Sequence, residues 1–183
     1  MPKCQDQDFP CQSPAYLDFD GTAKTELTAI PSASQIVNES AFCTFVPIDE
    51  AIQLGNLTYK DYLRGLRGKT GLYHLWVDYD NCDDHDTQTM LCVYVGKGLA
   101  EARITSHIKT KWPNQQLLYV SFYECSNRIS KYLEQLFLDA YTFYLNKNEN
   151  FGTEHLFAVW DHERYLLGTE ANAICNLMSS YES

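Results

Sequence analysis

No stretch of about 18 uncharged apolar residues occurs in the 183-residue chain, so a membrane-spanning helix is not expected. The opening residues, MPKCQDQDFPCQSP, lack the apolar core of a secretory signal, and none is expected there. The seven cysteines, from Cys4 to Cys175, are odd in number and form no C-x-x-C pair. That argues against a structural zinc site and against a disulfide framework. A reducing compartment follows, and with it an intracellular location, nucleus or cytoplasm. The sequons at Asn38 and Asn56 carry no weight in that setting. Basic residues are also scarce: Lys and Arg number 14 against 24 Asp and Glu, a net charge of −10. Taken alone, that balance speaks against a phosphate backbone as partner.

What the chain does contain is apolar and aromatic. Hydrophobic residues make up 45% and aromatics 14%, enough for a packed core rather than disorder. The charge is unevenly spread. The window Lys97 to Lys131 is net +4 and Lys60 to Lys69 is net +3, while acidity gathers in DYDNCDDHD and near both ends. A basic face on an acidic protein is one reading, and an ordinary solvated surface is the other.

Residues 1–40, rich in Pro, Gln, Ser, Asp and Thr, read as a partly disordered N-terminal extension able to recruit a protein partner. Residues 41–68 read as a helical lead-in: PIDEAIQLGNL, then TYKDYLRGLRG with Thr58 as cap and Gly68 as stop. GLYHLWV (71–77) and MLCVYVG (90–96) read as strands joined by a polar loop, Asp78 to Thr89. LAEARITSHIK (99–109) reads as a helix and LLYVSFYE (117–124) as a third strand. The strongest helical period runs from Ser126 to Leu145, with Ile129, Leu133, Leu136, Phe137, Ala140 and Tyr144 on one stripe. EHLFAVWD and GTEANAICNLMSS, capped by Thr169, suggest a strand and a helix within 151–183, packed on the core. The expected core, 69–150, is a small α+β domain: a three-stranded antiparallel sheet flanked by helices.

The cations of YVGKGLAEARITSHIKTKW find a context here. Gly71-Leu72-Tyr73 and Tyr94-Val95-Gly96 stand at the ends of two strands. Arg103 and His107 follow at i and i+4 on one helical face, Glu134 lies in the next helix, and Asn146 comes 12 residues later. In this order the residues resemble the GIY-YIG endonuclease family, over roughly 69–148. The YVGKG segment followed by Arg and His is similar to the version in animal nucleases that carry LEM and ankyrin domains. One departure is the distance between Tyr73 and Tyr94, longer than is usual in the family because of the acidic segment. The resemblance implies a Mg²⁺-dependent endonuclease, with Mn²⁺ as a substitute, acting on DNA in preference to RNA. It implies cleavage to a 3′-hydroxyl and a 5′-phosphate.

The chemistry of phosphodiester hydrolysis asks for such a set: a base for water, positive charge on the phosphate and help for the leaving oxygen. Glu134 is the candidate metal ligand, with waters and phosphate completing the shell. Arg103 offers a planar fork to phosphate oxygens. Tyr73 is the candidate base, its phenolate stabilised by Lys97 and the metal, while Tyr94 orients the water or shares that role. His107 can bond a tyrosine or the phosphate. Asn146 is expected to position Glu134 or hold the helix end. Gly96 and Gly98 would allow close approach of backbone to phosphate. Lys109, Lys111, Arg128 and Lys131 are candidate substrate contacts. Trp112, Tyr119 and Phe122 could stack on bases, with core packing the alternative. Two other readings stay open: a non-catalytic nucleic-acid-binding or protein-interaction module on the same scaffold, and an RNase or toxin-type effector.

Overall fold

The structure is a computed structural model that describes residues 17–28, 30–45, 59–112 and 118–162. The expected helix over PIDEAIQLGNL, the Thr58 cap and the terminal helix from Thr169 lie outside the described residues. The chain divides into two units, Met1–Ala33 and Ser34–Ser183. The first contains α1 (Leu17–Leu27), a helix with Phe19 and Leu27 exposed.

The second unit is an α+β fold. Its elements run α2 (Ala33–Glu39), β1 (Ala41–Phe45), α3 (Tyr59–Leu63) with a 3-10 turn Arg64–Leu66, then β2 (Thr70–Cys82), β3 (Thr87–Leu99), α4 (Ala100–Lys111), β4 (Leu118–Glu124), α5 (Asn127–Ala140) and β5 (Phe157–Asp161). The strands form one antiparallel sheet in the order β1-β4-β2-β3-β5. The three expected strands are its centre, and one further strand is added at each edge. β1 comes from 41–45, within the lead-in read as helical, and β5 from the EHLFAVWD segment. Helix α2 falls within the expected extension, where Ile36 and Val37 are buried and Ser40 Oγ donates to Ile36 O at 2.6 Å.

The acidic segment is strand, not loop. β2 and β3 are each 13 residues long and stay paired to Cys82↔Thr87, so the turn is only Asp83–Asp86. Asp86 takes φ 50°, a conformation that Asp tolerates better than most residues. Gly68 does end the preceding turn, with φ 76°. Helix α5 stops at Ala140, five residues short of the expected Leu145. Tyr141 turns extended, at φ −124° and ψ 155°, and bridges to Glu154. Its N-terminus is capped by Ser126, whose Oγ accepts from Ile129 N.

The two faces of the central sheet carry different layers. α4 covers one, with Ile104, Ile108 and Trp112 packed on Tyr73, Leu75, Val120 and Phe122. α5 covers the other, where the Phe137 ring meets His74 edge-on at 4.8 Å. Trp112, Tyr119 and Phe122 are all buried and serve the core rather than a base-stacking surface. Cys82, Cys92 and Cys125 are free thiols. Among the described residues no helix is long and apolar enough to cross a membrane.

Candidate functional site

Strand alternation decides what meets what. Tyr73 pairs in register with Gly96, and Leu75 with Tyr94, so both tyrosines leave the sheet on the α4 side. A Cβ at position 96 would lie 2.5 Å from Tyr73 Oη and 2.7 Å from Tyr94 Cε1. Glycine at 96 therefore makes room for the two rings. Gly98 (φ 105°) has open space where a Cβ would stand, so the backbone is accessible there.

Arg103, His107 and Lys111 stand at i, i+4 and i+8 of α4 and form one stripe toward the tyrosines. His107 Nε2 lies 2.9 Å from Tyr94 Oη and 3.1 Å from Tyr73 Oη, so one imidazole nitrogen serves both hydroxyls. The rings of the tyrosines stack at 6.1 Å. Lys111 Nζ sits 4.3 Å over the Tyr94 ring. Arg103 is exposed and forms no ion pair among the described residues. Lys109 is exposed on α4 away from this stripe.

The electrostatics follow from this crowding. Burial, and then Tyr94 beside it, push the Tyr73 phenol far above its ordinary range; Arg103 opposes. Burial, then Glu134, raise Tyr94. Burial, then Lys111 and Arg103, push His107 down to about 4, so at neutral pH it is uncharged. Burial, then Lys147 and Arg103, lower Lys111. Lys147 was not a candidate from the sequence; its position next to Asn146 was the signal available.

Lys97 pairs in register with Leu72, one place out of step with Tyr73, and leaves the sheet on the α5 side. There it forms an ion pair with Glu134 Oε2. The expected partnership of Lys97 with Tyr73 is thus replaced: the cation acting on Tyr73 is Arg103. Lys131 is exposed one turn before Glu134 on α5, and Arg128 is exposed in its first turn. In the second basic window, three cations are engaged: Arg64 with Asp61, Arg67 with Glu101 and Lys69 with Glu124.

Asn146 neither holds the helix end nor touches Glu134. Its side-chain amide accepts from Val95 N at 3.0 Å and donates to Val95 O at 2.9 Å. One residue earlier, Leu145 N donates to Val93 O at 2.9 Å. The segment thus stands in for a strand where β5 no longer covers the edge of β3. Asn146→Ala leaves both Val95 groups unpaired, and stability in urea is expected to fall by about 1–3 kcal/mol. An unchanged denaturation midpoint would reject this role.

Among the described residues no three His, Cys, Asp or Glu side chains converge as a metal cage. One partly buried carboxylate, Glu134, is what the site offers, its side chain 16% exposed and shared with Lys97. This donor set fits Mg²⁺, which keeps most of its waters and binds through one or two carboxylates and a phosphate. Comparison with family models, curated proteins and solved structures finds no match to this chain.

Proposed function

We propose that the protein is a Mg²⁺-dependent endonuclease of the GIY-YIG type that hydrolyses phosphodiester bonds in DNA. The observation that carries this reading is the single His107 nitrogen held against both Tyr73 and Tyr94 hydroxyls, beside the cationic stripe of α4. Arg103, with Lys111 and Lys147 near it, supplies positive charge for a phosphate. Tyr73 is too strongly held neutral to be a phenolate at rest. It acts as a relay: it takes the proton of the attacking water as its own passes to uncharged His107 Nε2. Tyr94, bonded to the same nitrogen, fixes the imidazole and orients the water. Glu134 would hold the metal, which when bound adds positive charge at the phosphate and at the departing 3′-oxygen.

The Lys97–Glu134 ion pair favours a second reading, a non-catalytic nucleic-acid-binding module, because it engages the carboxylate the metal needs. One experiment separates the two. Purified protein and Glu134→Ala are incubated with labelled duplex, branched and single-stranded DNA and RNA, with Mg²⁺ or EDTA. Cleavage by wild type alone, dependent on Mg²⁺ and lost in the variant while binding persists, is the expected result. Binding without cutting on every substrate would establish the second reading.

A further inference from the structure

At the far end of the long hairpin the molecule exposes aromatic side chains with no catalytic part in the proposed reaction. Tyr79 on β2 is 62% exposed, Phe157 on β5 43%, and Tyr144 in the segment before β5 68%. They form a ladder. The Tyr79 ring meets Phe157 edge-on at 4.9 Å, Phe157 meets exposed His155 at 6.3 Å, and His155 stacks on Tyr144 at 5.2 Å with 17° between planes. Val159, 64% exposed, continues the row along β5, whose outward positions 157, 159 and 161 alternate with buried Ala158 and Trp160. Each ring is held by its neighbour, so little ordering remains for a ligand to impose.

The charge around this ladder selects its occupant. Residues 77–91 and 144–162 build the surface. They carry five aspartates on the hairpin and three further carboxylates, Glu149, Glu154 and Asp161, against one cation, Lys147. Lys147 acts on Lys111. A phosphate backbone would meet repulsion here. Guanidinium and ammonium groups would meet carboxylates for long-range attraction and aromatic faces for close contact.

We propose that this face docks an Arg- and Lys-rich segment of a partner protein, with its cations over Tyr79, Phe157 and Tyr144. The molecule is then bipolar. Its cationic end faces phosphate, and its acidic aromatic end binds a basic protein. The docking face shares no residue with the proposed catalytic set, so the two readings can fail separately.

The test uses the full chain and a fluorescein-labelled peptide of alternating Arg and Val. A Glu–Val peptide and a labelled single-stranded oligonucleotide serve as comparisons. Fluorescence anisotropy is expected to give micromolar binding of the Arg peptide that weakens with salt, and none of the Glu peptide. Tyr79→Ser with Phe157→Ser should weaken the Arg peptide at least tenfold, while leaving any cleavage activity unchanged. Thermal unfolding checks each protein; Tyr79→Ser alone, at an exposed position, stands in if the double variant does not fold. Equal binding by wild type and variant, or no binding by wild type, would overturn the proposal. So would oligonucleotide binding lost in the variant, which would make the ladder a base-stacking platform. Self-association abolished by the variant would likewise replace the partner protein with a second copy of this chain.

Discussion

If the protein is the endonuclease proposed above, Tyr73→Phe is expected to lower its rate of DNA cleavage by roughly 10³-fold, with KM and fold unchanged. The substitution keeps the buried ring and its packing on Tyr94 and removes only the hydroxyl 3.1 Å from His107 Nε2. If the phenol relays the proton of water, the loss falls on kcat, because no ground-state phosphate contact is removed. His107→Ala should cost roughly 10²-fold by removing the final acceptor. The pH profile supplies an independent reading. Crowding by Lys111 and Arg103 adds to burial and keeps His107 uncharged until about pH 4. Cleavage should therefore stay level from pH 8 to 5 and fall only as the imidazole protonates. A decline beginning near 6.5, the ordinary histidine value, would show that His107 is not held in this environment. Wild-type rates in Tyr73→Phe would remove the phenol from the reaction.

Much of the central layer was legible because its residues obey local rules. Alternating aromatic and β-branched residues define the middle of β2, β3 and β4, and the i, i+4 spacing of Arg103 and His107 sets them on one face of α4. Lys111 completes that stripe. The failures have non-local causes. Asp78–Cys82 carry no apolar period, yet they remain strand because Thr87–Met90 lie opposite and complete their ladder. Helix α5 ends at Ala140 because the returning chain occupies the next position: a Cβ on Gly152 would lie 2.3 Å from the Tyr141 carbonyl carbon. The apolar residues beyond that point continue the helical period by coincidence, and Tyr144 is exposed. Asn146 pairs with Val95, 51 residues away, a contact no spacing rule anticipates. The position of Lys97 depends on register. Moving one residue along β3 from Gly96 takes a side chain from the tyrosine face to the α5 face, where Glu134 awaits it.

The second large effect concerns stability rather than catalysis. His74 is completely buried between Trp76 and Phe137, and neither ring nitrogen has a hydrogen-bond partner. Burial lowers its pKa to about 3, against about 6.5 in an unfolded chain. The native state therefore holds His74 neutral where the unfolded chain binds a proton. Above pH 6.5 both states are neutral and nothing is lost. As pH falls from 6.5 toward 3 the unfolded state gains progressively. The loss is about 2 kcal/mol at pH 5 and approaches about 5 kcal/mol at the lower limit. His74→Leu replaces the imidazole with an apolar side chain of similar volume and removes two buried unpaired nitrogens, so at pH 7 the variant should be at least as stable as wild type. Acid-sensitive ion pairs such as Lys97–Glu134 and the partly buried His107 remain in both proteins and cancel in the difference. Urea denaturation at pH 7, 6 and 5 would measure it: the wild-type midpoint should fall faster than that of His74→Leu by the equivalent of about 2 kcal/mol over this range. Parallel declines would mean that His74 meets water or a hidden acceptor in the native state, and that the sheet face under α5 is less dry than its packing indicates.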